Sequence, residues 1–185
     1  MKVIGWIIAG CWIVFWAYWL LSAFRAKSGR VQWRQWTGSR VGILVVLVIL
    51  SRLNLLHHHG AVAASGGLVL PVIGLVVFLA GLGLAVWARI FIGRNWGMPM
   101  TEKTDPELVT TGPYSRIRHP IYTGIIVGMA GTALALSVWY LIVAAVLGGY
   151  FVYSALNEEK YMASQFPDSY PGYKRSTRML IPYVL

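Results

Sequence analysis

Apolar residues occur in long unbroken runs, and short polar segments rich in basic residues separate these runs. The first run covers residues 3–24, a shorter second run covers residues 41–56, and a third covers residues 68–92. A helix needs about 20 apolar residues to cross a bilayer. Residues 120–157 are nearly twice that length, so we predict a hairpin of two spans that turns near Leu136 and Ser137. The pattern therefore predicts an all-α, polytopic membrane protein with about five transmembrane helices.

The polar segments predict the orientation of these helices. Five spans place the segments at residues 25–40, 93–118 and 158–185 on one side of the membrane, and they hold nearly all of the 16 lysines and arginines. Basic loops stay on the cytosolic side of a membrane. We therefore expect the N-terminus outside, the C-terminus in the cytosol, and a multi-pass integral membrane protein.

Composition agrees with a membrane protein. The chain is 57% hydrophobic and 12% charged, which is more apolar than one soluble core of 185 residues requires. The excess of basic over acidic residues could indicate nucleic acid, but these residues lie between apolar runs, so we interpret them as topology signals and expect no nucleic acid partner. Cys11 is the single cysteine, which excludes an intrachain disulfide. With no repeat or second domain evident, residues 1–185 are expected to form one domain.

The hairpin of the fourth and fifth spans predicts a polar site. A helix rises 1.5 Å per residue, so two antiparallel spans of similar length return the chain to the level at which it entered. Arg118 and His119 precede the hairpin, and Glu158 and Glu159 follow it. The two ends should therefore meet at the cytosolic boundary. The residues alone leave two interpretations open: a ligand site, or charged anchors that flank the spans.

Small residues mark one face of the fourth span. Gly124, Gly128 and Gly131 follow each other at helical spacing. Such a row forms a groove in which the backbone of a second helix can lie closely. We predict a tightly packed helical partner there.

Two other features have simpler explanations than a functional site. His57, His58 and His59 are consecutive, and consecutive side chains rarely converge on one ion, so we predict no metal site. Arg52 lies near the outer end of the second span, where its side chain can reach the membrane surface. The roles of Arg52 and of the histidine run stay open.

Several motifs resemble one family of membrane enzymes. The segment GPYSRIRHPIYTG at residues 112–124 resembles the RHPxYxG motif of the isoprenylcysteine carboxyl methyltransferase family and its phospholipid N-methyltransferase relatives. NEEKYMASQF at 157–166 resembles the paired-glutamate motif of that family, and WARIFIGRNW at 87–96 and YPGYKRSTRMLIP at 170–182 resemble the preceding helix end and the tail. The resemblance covers residues 74–185. The resemblance implies that residues 68–185 form the catalytic core. Residues 1–67, which contain the first two spans, correspond to a part that varies within such families.

The resemblance implies an integral membrane methyltransferase that holds S-adenosyl-L-methionine on the cytosolic side. Carried onto this chain, the implied cofactor-binding residues are Leu108, Val109, Tyr114, Arg118, His119, Tyr122, Gly124, Glu158 and Glu159. A carboxylate suits the amino or ribose hydroxyl groups of the cofactor, and Arg118 or His119 suits its carboxylate. The aromatic tail residues Tyr161, Phe166, Tyr170 and Tyr173 are expected to form a lid over the cofactor.

The methyl acceptor is expected to be lipophilic and to enter from the bilayer, with membrane lipids as neighbours. A carboxylate acceptor is already ionised and needs only positioning, for which Arg89, Arg94 and Arg178 are candidates, with Arg89 and Arg178 our catalytic assignments. An amine acceptor must first lose a proton, to Glu158, Glu159 or His119. We favour carboxyl methylation of an isoprenylcysteine-like substrate. The alternatives are phospholipid N-methylation, a sterol-reductase-like enzyme that uses NADPH, and a membrane subunit without enzyme activity.

Overall fold

The computed structural model describes residues 2–23, 29–31, 67–96, 101–103, 107–137 and 139–181. The helices in these ranges are α1 (Lys2–Ala23), α2 (Val69–Ile92), α3 (Pro120–Ala135), α4 (Tyr140–Gln165) and α5 (Tyr170–Ser176). Two three-residue strands, β1 (Gly29–Val31) and β2 (Thr101–Lys103), pair in antiparallel orientation. Short 3-10 turns occupy Gly93–Asn95 and Gly112–Ser115.

Three of the described helices are long and apolar enough to cross a membrane, namely Lys2–Ser22, Val69–Ile92 and Tyr140–Gln165. The predicted helical, membrane-type fold is confirmed, and the third predicted span, residues 68–92, coincides with α2. The predicted second span at residues 41–56 lies outside the described residues, as do Arg52 and His57 to His59. The count of five spans and the orientation stay predictions.

The predicted hairpin is formed by α3 and α4. Helix α3 ends at Ala135, and the Leu136 N–H donates to the Thr132 carbonyl at 3.0 Å. Helix α4 begins at Tyr140, whose N–H donates to the Ser137 carbonyl at 3.0 Å. The turn therefore lies where the sequence predicts it. With 16 residues α3 is about 24 Å long, somewhat shorter than the hydrocarbon core of a typical bilayer.

Glycines bring α2 and α3 into backbone contact. A Cβ atom on Gly124 would lie only 2.6 Å from the Ala85 backbone nitrogen, and one on Gly81 would lie 2.6 Å from the Gly124 carbonyl oxygen. Gly131 meets the backbone of Phe78 in the same way. The predicted groove on the fourth span is thus confirmed, and its occupant is α2. This packing fixes the start of α3 beside the end of α2, where the polar residues gather.

Candidate functional site

The segment that precedes α3 is held in place by the C-terminal tail. The Arg118 N–H donates to the Arg178 carbonyl at 2.8 Å, the Arg178 N–H donates to the Arg116 carbonyl at 3.0 Å, and the His119 N–H donates to the Met179 carbonyl at 3.1 Å. These bonds align residues 116–119 beside residues 178–179. Pro120 then begins α3, because its fixed φ and missing N–H suit the first turn of a helix.

A cavity of about 130 Å³ opens between the start of α3, the end of α4 and helix α5. Seven of the nine predicted cofactor-binding residues line it: Leu108, Val109, Tyr114, Arg118, His119, Tyr122 and Glu158. Three of the four predicted lid residues line it as well: Tyr161, Tyr170 and Tyr173. The fold therefore brings ten of the predicted residues together in one cavity, from α3, α4, α5 and the loop before α3.

His119, Tyr122 and Glu158 form one connected group on the cavity wall. The rings of His119 and Tyr122 stack with 5.5 Å between centroids and 2° between planes. The Tyr122 hydroxyl donates to Glu158 Oε1, and His119 Nδ1 lies 3.5 Å from Glu158 Oε2. Phe151 also stacks on Tyr122, with 4.8 Å between centroids. The carboxylate of Glu158 is thus oriented by a phenol and an imidazole that are themselves packed against rings.

Arg118 and Glu159 form a second group. Arg118 Nε lies 2.6 Å from Glu159 Oε1, and Lys174 Nζ lies 2.7 Å from Glu159 Oε2. The side chains of Arg118 and Glu159 are 9% and 4% exposed, so water screens their attraction little, whereas that of Lys174 is 52% exposed. Arg118 also donates through Nη1 to the Thr177 carbonyl at 2.7 Å. This group joins α3, α4 and α5.

Opposing effects set the proton affinity of His119. Its burial lowers the pKa of the imidazole, but the nearby carboxylates of Glu158 and Glu159 raise the pKa more, so the pKa lies above the ordinary value. At 3.7 Å from His119 Nε2, Glu159 acts through its charge, because that distance is too long for a hydrogen bond. Burial also raises the pKa of the Tyr173 hydroxyl, to about 12. At neutral pH, Tyr173 is therefore a hydrogen-bond donor.

The raised pKa of His119 predicts how stability depends on pH. A group whose pKa is higher in the folded state stabilises that state fully below its unfolded pKa, which is about 6.5 for histidine, and the stabilisation is lost as pH rises through the folded pKa. We expect the melting temperature of wild type in detergent to exceed that of His119→Gln most at pH 6 and below. The difference should shrink steadily at higher pH. A difference that grows with pH would contradict the assignment.

Two predicted residues lie near the cavity but not on its wall. Gly124 contacts α2 and serves the helix packing. Arg89 is 4% exposed, and its guanidinium donates to the Gly93 carbonyl at 2.8 Å and to the Ser22 carbonyl at 3.0 Å. The guanidinium also lies 4.5 Å from the ring centroid of Trp96, a residue of the cavity wall.

The remaining two predicted residues, Glu159 and Arg178, do not line the cavity either. Glu159 is bound by Arg118 and Lys174, and the side chain of Arg178 is exposed while its backbone pairs with the segment before α3. The structure does not test a catalytic role for Arg89 or Arg178, and those roles stay predictions.

Sequence reasoning missed part of the wall. The additional lining residues are Ile92, Trp96, Glu107, Ile121 and Met162. Asn95 donates through Nδ2 to Glu107 Oε2 at 2.7 Å, which ties the 3-10 turn after α2 to the loop before α3. Ile92 and Trp96 lie in the WARIFIGRNW segment, and Glu107 directly precedes Leu108. Their positions within or next to recognised motifs could have indicated that these residues line the cavity.

The described residues contain no group of three or more histidine, cysteine, aspartate or glutamate side chains placed to hold a metal ion. The histidine run at His57 to His59 lies outside those residues. The cavity is instead built from paired cations and carboxylates with aromatic walls.

Residues 69–169 match the phospholipid methyltransferase family. The match covers more than half of the chain, which therefore belongs to this family of methyltransferases. The resemblance inferred from the RHPxYxG and paired-glutamate motifs is confirmed. Together with the three long apolar helices, membership of the family indicates an integral membrane protein.

Individual relatives carry different names. The cobalt-zinc-cadmium resistance protein CzcN of Cupriavidus metallidurans is 32% identical over 151 residues, which are 79% of this chain and 65% of CzcN. The protein-S-isoprenylcysteine O-methyltransferase of Schizosaccharomyces pombe is 37% identical over 101 residues, 52% of this chain and 43% of that protein. Methanethiol S-methyltransferase 1 of Bradyrhizobium diazoefficiens is 37% identical over 82 residues, 44% of this chain and 28% of that protein. The chain thus matches only part of the length of each relative.

Proposed function

We propose that the protein transfers a methyl group from S-adenosyl-L-methionine to a lipophilic acceptor, on the cytosolic side of the membrane. The observation that carries this proposal is the group of His119, Tyr122 and Glu158 on one cavity wall. These residues come from the RHPxYxG and paired-glutamate motifs of a methyltransferase family.

The chemistry of the wall fits this cofactor. His119 Nε2 is buried and makes no hydrogen bond to any described residue, so it can donate to a carboxylate of a ligand. Glu158 supplies an acceptor for amino or hydroxyl groups, and Leu108, Val109 and Met162 supply apolar surface. A volume of about 130 Å³ is below the roughly 300 Å³ at which ligand sites usually begin. The side chains that line the cavity would therefore have to move when S-adenosyl-L-methionine binds.

The residues of the chain would act by binding and orientation. When bound, S-adenosyl-L-methionine supplies an activated methyl group on a sulfonium. Glu158, fixed by Tyr122 and His119, would orient the ligand, and the tyrosines of α4 and α5 would exclude water from it. No metal or covalent intermediate is needed for such a transfer, because the leaving group is neutral once the methyl has left.

We further propose that the acceptor is a carboxylate of an isoprenylcysteine-like molecule that enters from the bilayer. The S. pombe relative named as an isoprenylcysteine O-methyltransferase supports this choice. Arg89 and Arg178 are the candidates for positioning the carboxylate. The family match keeps phospholipid N-methylation as the alternative, with Glu158 or His119 as the base for an ethanolamine nitrogen.

Calorimetry in detergent tests the cofactor, and product analysis tests the acceptor. We expect S-adenosylhomocysteine to bind and NADPH not to bind; the reverse would favour a reductase, and binding of neither would refute the cavity as a cofactor site. With radiolabelled cofactor and an isoprenylcysteine analogue, the label should enter a base-labile ester. Label that appears only in base-stable phospholipid would establish N-methylation instead.

A further inference from the structure

The two adjacent glutamates of α4 both lie near His119 but otherwise contact different residues. Successive residues of a helix point about 100° apart. Glu158 lines the cavity, whereas Glu159 is 4% exposed and does not line it. The sequence presents an acidic pair, but the fold separates its members.

Glu159 lies at the centre of an ionic group that joins α4, α5 and the segment just before α3. Its Oε1 accepts from Arg118 Nε, just before α3, and its Oε2 lies 2.7 Å from Lys174 Nζ on α5. Arg118 Nη1 also donates to the Lys174 carbonyl at 3.1 Å. Two connections from α5 to the rest of the protein thus depend on Glu159, one directly and one through Arg118.

Helix α5 needs such contacts to stay in place. It has seven residues, fewer than an isolated helix requires for stability in water. Its Tyr170 and Tyr173 line the cavity, and the Tyr173 hydroxyl donates to the Tyr114 carbonyl at 2.7 Å. When α5 is docked, its tyrosines cover one side of the cavity. When it is undocked, that side is open.

We propose that Glu159 is a positioning residue that docks α5 over the cavity through Lys174 and Arg118, and that only Glu158 of the acidic pair contacts the ligand. The statement that α5 covers S-adenosyl-L-methionine rests on the proposed function. The docking itself does not, because every contact in the argument lies within the chain. A docked α5 also preorganises the site, since an undocked helix would have to be ordered when the ligand binds.

Hydrogen exchange without any ligand tests the docking. Removing one partner of a buried ion pair is strongly destabilising, so exchange of the α5 amides should speed up at least about tenfold in Glu159→Gln. Lys174→Met should speed it up by roughly two- to fivefold, because that lysine is half-exposed and its pair is partly screened. Glu158→Gln should leave it at the wild-type rate. Arg175→Met, which removes the same charge from an exposed position of the same helix, is the matched control and should also show the wild-type rate.

Binding of S-adenosylhomocysteine gives the second readout. Lys174 does not line the cavity, yet Lys174→Met should weaken binding by about two- to fivefold, and Lys174→Arg should restore it. The double variant Glu159→Gln/Lys174→Met should bind no more weakly than Glu159→Gln alone. Wild-type exchange of α5 in both Glu159→Gln and Lys174→Met would overturn the proposal. If Glu159→Gln fails to fold, wild-type exchange in Lys174→Met is sufficient to overturn it. If the Glu159→Gln and Lys174→Met variants lose exchange protection but the wild-type protein does not bind S-adenosylhomocysteine, the docking is upheld and only the proposed function is refuted.

Discussion

The His119→Ala variant is expected to bind S-adenosylhomocysteine about 100-fold more weakly than wild type, which corresponds to roughly 2.7 kcal/mol. The imidazole lines the cavity and is 12% exposed, and under the proposed function it contacts the ligand directly. Its stacking on Tyr122 and its approach to Glu158 also hold those two side chains in place. Titration calorimetry of the purified protein in detergent measures the effect.

Arg116→Ala is the matched control for this variant. Arg116 is an exposed basic residue of the same segment, and only its backbone carbonyl pairs with the tail. We expect this variant to keep wild-type affinity. Wild-type affinity in a folded His119→Ala protein would show that His119 does not bind the ligand.

The Gly81→Val variant is expected to lose about 3 kcal/mol of folding stability, and with it most of the folded protein at moderate temperature. Side-chain atoms at this position would meet the backbone of α3 at Gly124 and Gly128, and backbone cannot move aside as a flexible side chain can. The two helices must separate. Because α3 carries Tyr122 and begins beside His119, cofactor binding should fail together with the packing.

Gly83→Val tests the same substitution two residues further along α2. A Cβ atom on Gly83 would have no other atom within 4 Å. Both variants replace a glycine of α2 by valine, so they differ only in what the new side chain contacts. Melting curves and size-exclusion profiles in detergent should show a wild-type-like protein for Gly83→Val and an unstable or aggregated one for Gly81→Val. Equal melting temperatures for the two variants would contradict the close contact of α2 and α3.

The sequence determined the proximity of the hairpin ends by simple geometry. Two apolar spans of similar length must return to one level, so His119 and Glu158 were expected to meet, and they lie 3.5 Å apart. The glycine spacing on α3 likewise required a close helical partner. Neither argument needs knowledge of side-chain rotation, because both depend only on helical rise and the absence of a Cβ atom.

Helical rise and glycine spacing do not predict which groups a long charged side chain contacts. The sequence predicts that Arg89 positions the acceptor, and it does not predict that the guanidinium contacts the Gly93 and Ser22 carbonyls and the Trp96 ring. A guanidinium has five donors on a flexible stem, so many partners within its reach are compatible with one sequence position. Only the packing of α1 against the end of α2 selects among them.

The sequence alone predicts the apolar helices, the turn near Leu136 and Ser137, the tightly packed face of α3 and the residue types of the cavity. These follow from interactions that are local in the chain or set by helix length. Three-dimensional packing is needed to place Glu158 on the cavity wall and Glu159 against Arg118 and Lys174, and to pair residues 178–179 with residues 116–119. Helix rotation and the position of a short tail depend on contacts between residues that lie from 15 to about 60 positions apart, for which the sequence carries no periodic signal.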